Sequence, residues 1–182
     1  MKNPILYHRI IIAVLIVGCF FSYWWCCYLK TSVTTIILIR HADRPGNEDQ
    51  IDPVLGAQRA AELARVLGNA NVSAIYTSTA NRTQQTAQPL ATQLGITPET
   101  YSIANLDVDL PALVDEIKTQ HRGKVVLVVG HSNTVPQTIN HLGYGPALSD
   151  IPHAEYDNMY ILTLSKKTSA RLVKLKYGAH TP

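Results

Sequence analysis

Thr34-Thr35-Ile36-Ile37-Leu38-Ile39-Arg40-His41 is the stretch on which the reading of this chain turns. Six β-branched or aliphatic residues run without interruption into an Arg-His pair, and a loop bearing Pro45 and Gly46 follows at once. A short, continuous apolar run closed by turn residues predicts a strand covered on both faces. Strands of that kind belong to open α/β sheets, whose ligands bind in the crevice beyond the carboxyl ends of the strands. Arg40 and His41 therefore stand where a site is expected.

The same device recurs further along. Val125-Val126-Leu127-Val128-Val129 ends in Gly130-His131-Ser132-Asn133, so a second histidine is delivered at a second strand end. Between the two, Ile75-Tyr76-Thr77-Ser78 runs into a helix-like stretch that carries Arg82 near its start. Working outward, the periodicity predicts helices over 57–67, 81–94, 111–120 and 135–142, and a second strand over 74–77. Pro89 is expected to bend the second helix, and Pro111 to open the third behind Asp109 or Leu110. Residues 159–164 and 171–177 can pair as a hairpin. The alternation predicts a three-layer α/β/α sandwich around a mostly parallel sheet.

The 182 residues, 46% of them hydrophobic, suit one globular domain once the leading segment is set aside. Residues 10–29, IIIAVLIVGCFFSYWWCCYL, carry no charge. As a helix they would measure about 30 Å, the thickness of a bilayer's hydrocarbon core. They read as a transmembrane anchor or an uncleaved signal. Ile16-Val17-Gly18-Cys19 has the look of a lipoprotein cleavage box, but the sequence after it stays apolar. Lys2 and Arg9 precede the segment and Lys30 alone follows it, which puts residues 1–9 in the cytoplasm and a domain of residues 33–182 on the extracytoplasmic, periplasmic side.

Cys19, Cys26 and Cys27 all fall within the segment, so the domain has neither a disulfide nor a thiol nucleophile. Of 16 basic residues, three (Lys2, Arg9, Lys30) lie before the domain, leaving 13 against 13 acidic ones. A neutral domain excludes a nucleic-acid platform.

A phosphoryl group presents charged oxygens around an electrophilic phosphorus, so its transfer needs a nucleophile on one side and fixed donors around the oxygens. Arg40, Arg82 and His131 can donate. His41, kept neutral by the cations beside it, can attack to give a phosphohistidine that water then hydrolyses. Asp43, by proximity alone, is the candidate proton donor to the leaving group. His121, His141, His153 and His180 read as surface or capping residues. The basic hairpin residues Lys166, Lys167, Arg171, Lys174 and Lys176 read as a solvated face that could also meet anionic headgroups. Without a His-Glu-x-x-His or cysteine ligand set, neither a metal nor a cofactor is expected.

Three separated motifs, Leu-Ile-Arg-His-Ala at 38–42, Thr-Ser-x3-Arg-Thr-x2-Thr-Ala at 77–87 and Gly-His-Ser-Asn at 130–133, resemble the histidine phosphatase superfamily, the phosphoglycerate-mutase-like group, over roughly residues 34–177. Ala42 stands where many members have Gly. The resemblance implies the same sandwich fold, a metal-independent phosphatase and a nucleophile at His41. Asn47 matches in spacing an Asn that members use as a phosphate donor, whereas the Glu that often serves them as an acid has no counterpart in context. Short connections leave little for the lid that a mutase needs, which favours a phosphatase.

The expected partner is a phosphorylated small molecule or an envelope glycolipid. The alternatives are a phosphohistidine signalling phosphatase and a membrane-tethered phosphate-binding module with little turnover. A serine hydrolase elbow at Gly130-His131-Ser132-Asn133-Thr134 lacks its closing Gly and leaves Arg40, His41 and Arg82 unexplained.

Overall fold

The structure is a computed structural model that describes residues 12, 14–23, 33–165 and 168–181. The two apolar runs lie side by side in the middle of one sheet. β1 (Thr34–Arg40) pairs in parallel with β4 (Val125–Gly130), in a register that sets Arg40 opposite Gly130. β2 (Val72–Ser78) flanks β4 in parallel, and β3 (Glu99–Tyr101) extends that edge. On the other side β5 (Asn158–Ser165) and β6 (Thr168–Lys176) add an antiparallel pair, giving the order β3-β2-β4-β1-β5-β6.

Strand alternation divides the core in two. Ile36, Leu38, Val126 and Val128 pack on one face with α3 (Leu106–Gln120) and α4 (Thr134–His141), through Leu110, Leu113, Ile117, Val135 and Ile139. Ile37, Ile39, Leu127 and Val129 face the other way, onto Leu63 and Leu67 of α1 (Leu55–Leu67) and Leu90 and Ala91 of α2 (Asn81–Leu94). Both faces of β1 and β4 are covered, as their unbroken apolar sequence requires. The expected three layers are present.

Three local expectations need correction. Residues 99–101 form a short edge strand, although Glu-Thr-Tyr gives too brief a pattern to recognise. Pro89 does not break the second helix, which runs continuously over Asn81–Leu94, with its neighbours Leu90 and Ala91 buried in the core. Pro111 does not open α3. The helix starts five residues earlier, at Leu106, where Asp107 and Asp109 supply negative charge to its first turn. The Asp109 carboxylate also accepts from Asn105 N at 2.9 Å and from Ser102 Oγ at 2.8 Å, fixing the entry to the helix.

The chain divides into two compact units, Met1–Thr31 and Ser32–Pro182. Within the first, residues 14–23 are helical with exposed side chains. Residues 10, 11, 13 and 24–29 of the expected anchor, and Cys26 and Cys27 with them, lie outside the described residues. Among the described residues no helix is long and apolar enough to cross a membrane.

Candidate active site

The register of the central strands builds the site. His41 N donates to the Gly130 carbonyl at 2.9 Å, so the two chains leave the sheet together and deliver His41 and His131 as neighbours. Their rings stand edge to face with centroids 5.5 Å apart. Arg82, the second residue of α2, arrives from the far side of β4, behind β2. Arg40, His41, Arg82 and His131 thus lie together, and Arg40, His41 and His131 are 2%, 3% and 7% exposed.

Hydrogen bonds fix the protons on both rings. His41 Nδ1 lies 2.8 Å from the Ala42 carbonyl, which can only accept, so Nδ1 carries the hydrogen and Nε2 keeps the lone pair. At His131, Arg82 Nη2 donates to Nδ1 at 3.1 Å. The other nitrogen, Nε2, is therefore protonated and donates to Ser78 Oγ at 2.8 Å. Ser78 lies 3.0 Å from Thr83 Oγ1, which reaches the Ala80 carbonyl at 2.7 Å. The chain Arg82, His131, Ser78, Thr83 leaves each partner one consistent role. Thr86 Oγ1 accepts from Ala42 N at 2.8 Å and donates to the Arg82 carbonyl at 2.7 Å, tying the turn after His41 to α2. Each hydroxyl of the Thr-Ser-x3-Arg-Thr-x2-Thr pattern that makes these contacts holds a site residue in place.

Burial, reinforced by the charges of Arg40, His131 and Arg82, lowers the His41 pKa to about 3 against the Ala42 bond that favours protonation. His131 falls to about 4, first by burial and then through Arg82, Arg40 and Arg44, with Asp49 opposing. Both rings are neutral at pH 7. Arg40 is itself lowered, mainly by burial and also by Arg44 and Arg82. It stays charged because arginine titrates so high.

Arg40 is clamped by a segment that the sequence did not point to. Its Nη1 donates to the carbonyls of Pro152, His153 and Glu155 at 3.1, 2.9 and 2.9 Å, and its guanidinium stacks 4.0 Å above the Tyr156 ring. Tyr156 also lies 5.8 Å from the His41 ring. Asp49, in the loop after His41, was missed as well. Its carboxylate accepts from Arg82 Nη1 at 2.6 Å and from Asn81 N at 3.1 Å, strapping the loop to the start of α2. The acidic residues of this loop carry no period or spacing that separates a pairing Asp from a solvated one.

Two expectations fare differently. Asp43 is not poised to protonate a leaving group: Oδ2 lies 2.5 Å from Arg59 Nε and Oδ1 lies 3.3 Å from Arg59 Nη2, so both oxygens serve a buried ion pair. Asn47 is exposed, and its side-chain oxygen accepts from Arg44 Nη2 at 3.4 Å. It acts on a neighbouring arginine.

The arginines show what the site lacks. Arg40, Arg44 and Arg82 each keep a buried Nε–H without an acceptor. An unmatched buried donor costs about 1–3 kcal/mol, more when charged. The three belong to arginines whose charges act on two neutral imidazoles, which leaves donors available to an anion. Among the described residues no cluster of His, Cys, Asp and Glu could hold a metal ion.

Comparison with known proteins agrees with this geometry. The family model described as histidine phosphatase superfamily (branch 1) matches residues 36–105. No curated protein matches the chain in sequence. Among solved structures, mycobacterial hydrolase 1 superposes with a TM-score of 0.61 at 16% identity, over 81% of this chain and 100% of its own. A mycobacterial glucosyl-3-phosphoglycerate phosphatase complexed with VO3 gives 0.60 at 15% identity, over 79% and 99%. The protein histidine phosphatase SixA complexed with tungstate gives 0.59 at 16% identity, over 78% and 96%. At these identities the likeness is one of fold. The family model spans β1 from Ile36 and the Arg82 helix, with the segment between them, and the solved structures share the fold.

Proposed function

We propose that this chain is a phosphomonoester hydrolase that works through a phosphohistidine on His41. The observation that carries this reading is the pairing of a neutral imidazole, its Nδ1 tied to the Ala42 carbonyl, with three buried guanidinium nitrogens that lack acceptors. His41 Nε2 attacks phosphorus as the bond to the leaving oxygen breaks. The arginines hold the non-bridging oxygens, and the leaving group takes its proton from solvent, because Asp43 is committed to Arg59. Water then attacks the phosphohistidine, releases inorganic phosphate and returns His41 to its neutral form. The arginines supply the charge stabilisation, with His131 holding Arg82 in place.

Hydrolysis of p-nitrophenyl phosphate should therefore proceed unchanged in a chelator. Activity that vanishes with chelation and returns with a divalent ion would disprove the site as drawn. Its pH profile follows from the histidine shifts. Protonation would remove the attacking lone pair, and a pKa near 3 keeps His41 neutral down to moderately acidic pH, so kcat should show no acid limb near 6.5. Stability runs the other way. The unfolded chain protonates both histidines near 6.5, while the folded chain resists to about 3 and 4, so stability declines as pH falls below 6.5. Unfolding between pH 6 and 4.5 should take up about two protons, measurable from the slope of stability against pH.

The substrate proposed is an extracytoplasmic phosphomonoester, either a small molecule or an envelope glycolipid, with residues 10–29 as the membrane anchor. The charge-free twenty-residue segment and the basic residues before it support this placement. An alkaline-phosphatase fusion after Pro182 should be active in a bacterial host, and a fluorescent cytoplasmic reporter dark. The opposite result would favour the second reading, a phosphohistidine signalling phosphatase, which the fold likeness to SixA keeps in view.

A further inference from the structure

The two ends of the central sheet differ in charge. At the end where the parallel strands begin, register brings basic side chains level with one another. Thr35 pairs with Val125 of β4 and with Thr163 of β5, and Thr163 pairs in turn with Arg171 of β6. Thr35 N donates to the Lys124 carbonyl at 2.9 Å, and Gly123 N donates to Thr34 Oγ1 at 2.9 Å, which sets Arg122 and Lys124 beside the start of β1. Lys118 reaches the same edge from the last turn of α3. All four are exposed, and neither Lys124 nor Arg171 pairs with a carboxylate among the described residues. The acids in the second half of α3 are Asp115 and Glu116, and Glu116 accepts from the Tyr76 hydroxyl at 3.0 Å.

The end that carries His41 and His131 holds acids instead. Asp49 and Asp52 follow β1, Asp107 and Asp109 open α3, and Asp150 and Glu155 precede β5. β1 has seven residues, so about 20 Å separates the basic edge from His41. The chain also enters the domain at the basic edge. In sequence the charge-free run ends at Leu29 and β1 begins at Thr34, a stretch that spans at most about 18 Å.

We propose that the edge formed by Lys118, Arg122, Lys124 and Arg171 rests on an anionic lipid surface, so that His41 faces water on the far side and takes its phosphomonoester from solution. This rests on the anchor and phosphatase readings above, and it chooses the small molecule over the envelope glycolipid. Attraction between basic side chains and anionic headgroups fades within a Debye length, about 10 Å at 0.1 M salt. The acids of the opposite end lie beyond that range and are not repelled. A phosphate carried on a headgroup stays at the surface, short of a rim about 20 Å above it.

The test uses the full chain in lipid nanodiscs of phosphatidylcholine, with or without phosphatidylglycerol. A benzophenone side chain replaces Ser169, exposed on β6 beside Arg171, or Leu55, exposed on the opposite rim at the start of α1. Irradiation should give lipid adducts at position 169 in the anionic discs, and at least tenfold fewer at position 55. Adducts at 169 should fall when salt is raised to about 1 M, where the screening length is about 3 Å. K124E/R171E should lower them about tenfold with p-nitrophenyl phosphate turnover within twofold of the parent, and K124Q/R171Q replaces it where the charge-reversed chain does not fold. A water-soluble short-chain phosphatidate should be hydrolysed at least tenfold faster than a long-chain phosphatidate held in the same disc.

Equal adducts at the two positions, or adducts at 169 that ignore phosphatidylglycerol and salt, would overturn the proposal and leave the phosphatase and the anchor intact. So would long-chain phosphatidate turned over as fast as the soluble one. A chain that gives the expected adducts but hydrolyses no phosphomonoester would sink the phosphatase reading and leave the lipid-facing edge standing. A chain that does not enter the disc at all would remove the anchor and this inference together.

Discussion

His41→Ala should abolish both steady turnover and acid-labile labelling, with a loss of about 10⁴-fold or more, because removing a nucleophile takes away the covalent intermediate itself. His131→Ala should behave differently, although the sequence presents the two histidines as near equivalents at matching strand ends. The structure separates them by their protons. Among the described residues His41 Nε2 has no hydrogen-bond partner, whereas His131 spends Nδ1 on Arg82 and Nε2 on Ser78. A ring held at both nitrogens is placed to orient Arg82, not to attack. His131→Ala should therefore slow turnover by about 10²-fold while still allowing slow labelling. Rapid-quench labelling with a radioactive phosphodonor, followed by peptide mapping, distinguishes the two. Phosphate recovered on His131 or Ser132 would reverse the assignment.

The parts legible in the sequence are those that repeat a period. Ile36 to Ile39 and Val126 to Val129 are apolar at every position, which only a strand covered on both faces explains, and their ends necessarily place Arg40 beside Gly130 and His41 beside His131. Arg82 was legible because a helix start after a third strand lies on the same rim. The contributions that were missed come from irregular segments. Tyr156 and the carbonyls of residues 152, 153 and 155 reach Arg40 across more than a hundred residues of chain, the carbonyls through backbone atoms whose identity no side chain records. Arg44 and Asp49 belong to a loop whose turn at Gly46 decides where they point, and Pro-Gly announces a turn without giving its direction. Asp43 misled for a related reason. Two residues from His41 is close along the chain, but both carboxylate oxygens are engaged by Arg59 on α1.

That pair makes the second large prediction. Arg59 is 3% exposed, and it donates to both oxygens of Asp43, to the Tyr177 carbonyl at 2.9 Å and to the Ala179 carbonyl at 3.0 Å. One guanidinium thereby joins α1, the turn after His41 and the chain that follows β6. Arg59→Leu removes the cation and leaves the Asp43 carboxylate and two carbonyls without their donor, so it should destabilise the fold by about 3–5 kcal/mol. The shift in denaturant midpoint measures it, and a change below 1 kcal/mol would show that the pair carries little. Asp43→Asn strands Arg59 instead and should also be costly. The double variant should lose less than the two losses summed, because neither partner is then left as a buried, unpaired charge. The same variant settles the question of the acid. With the leaving group protonated by solvent, Asp43→Asn should leave the dependence of kcat on leaving-group pKa unchanged, and a selective collapse on poor leaving groups would return Asp43 to the chemistry.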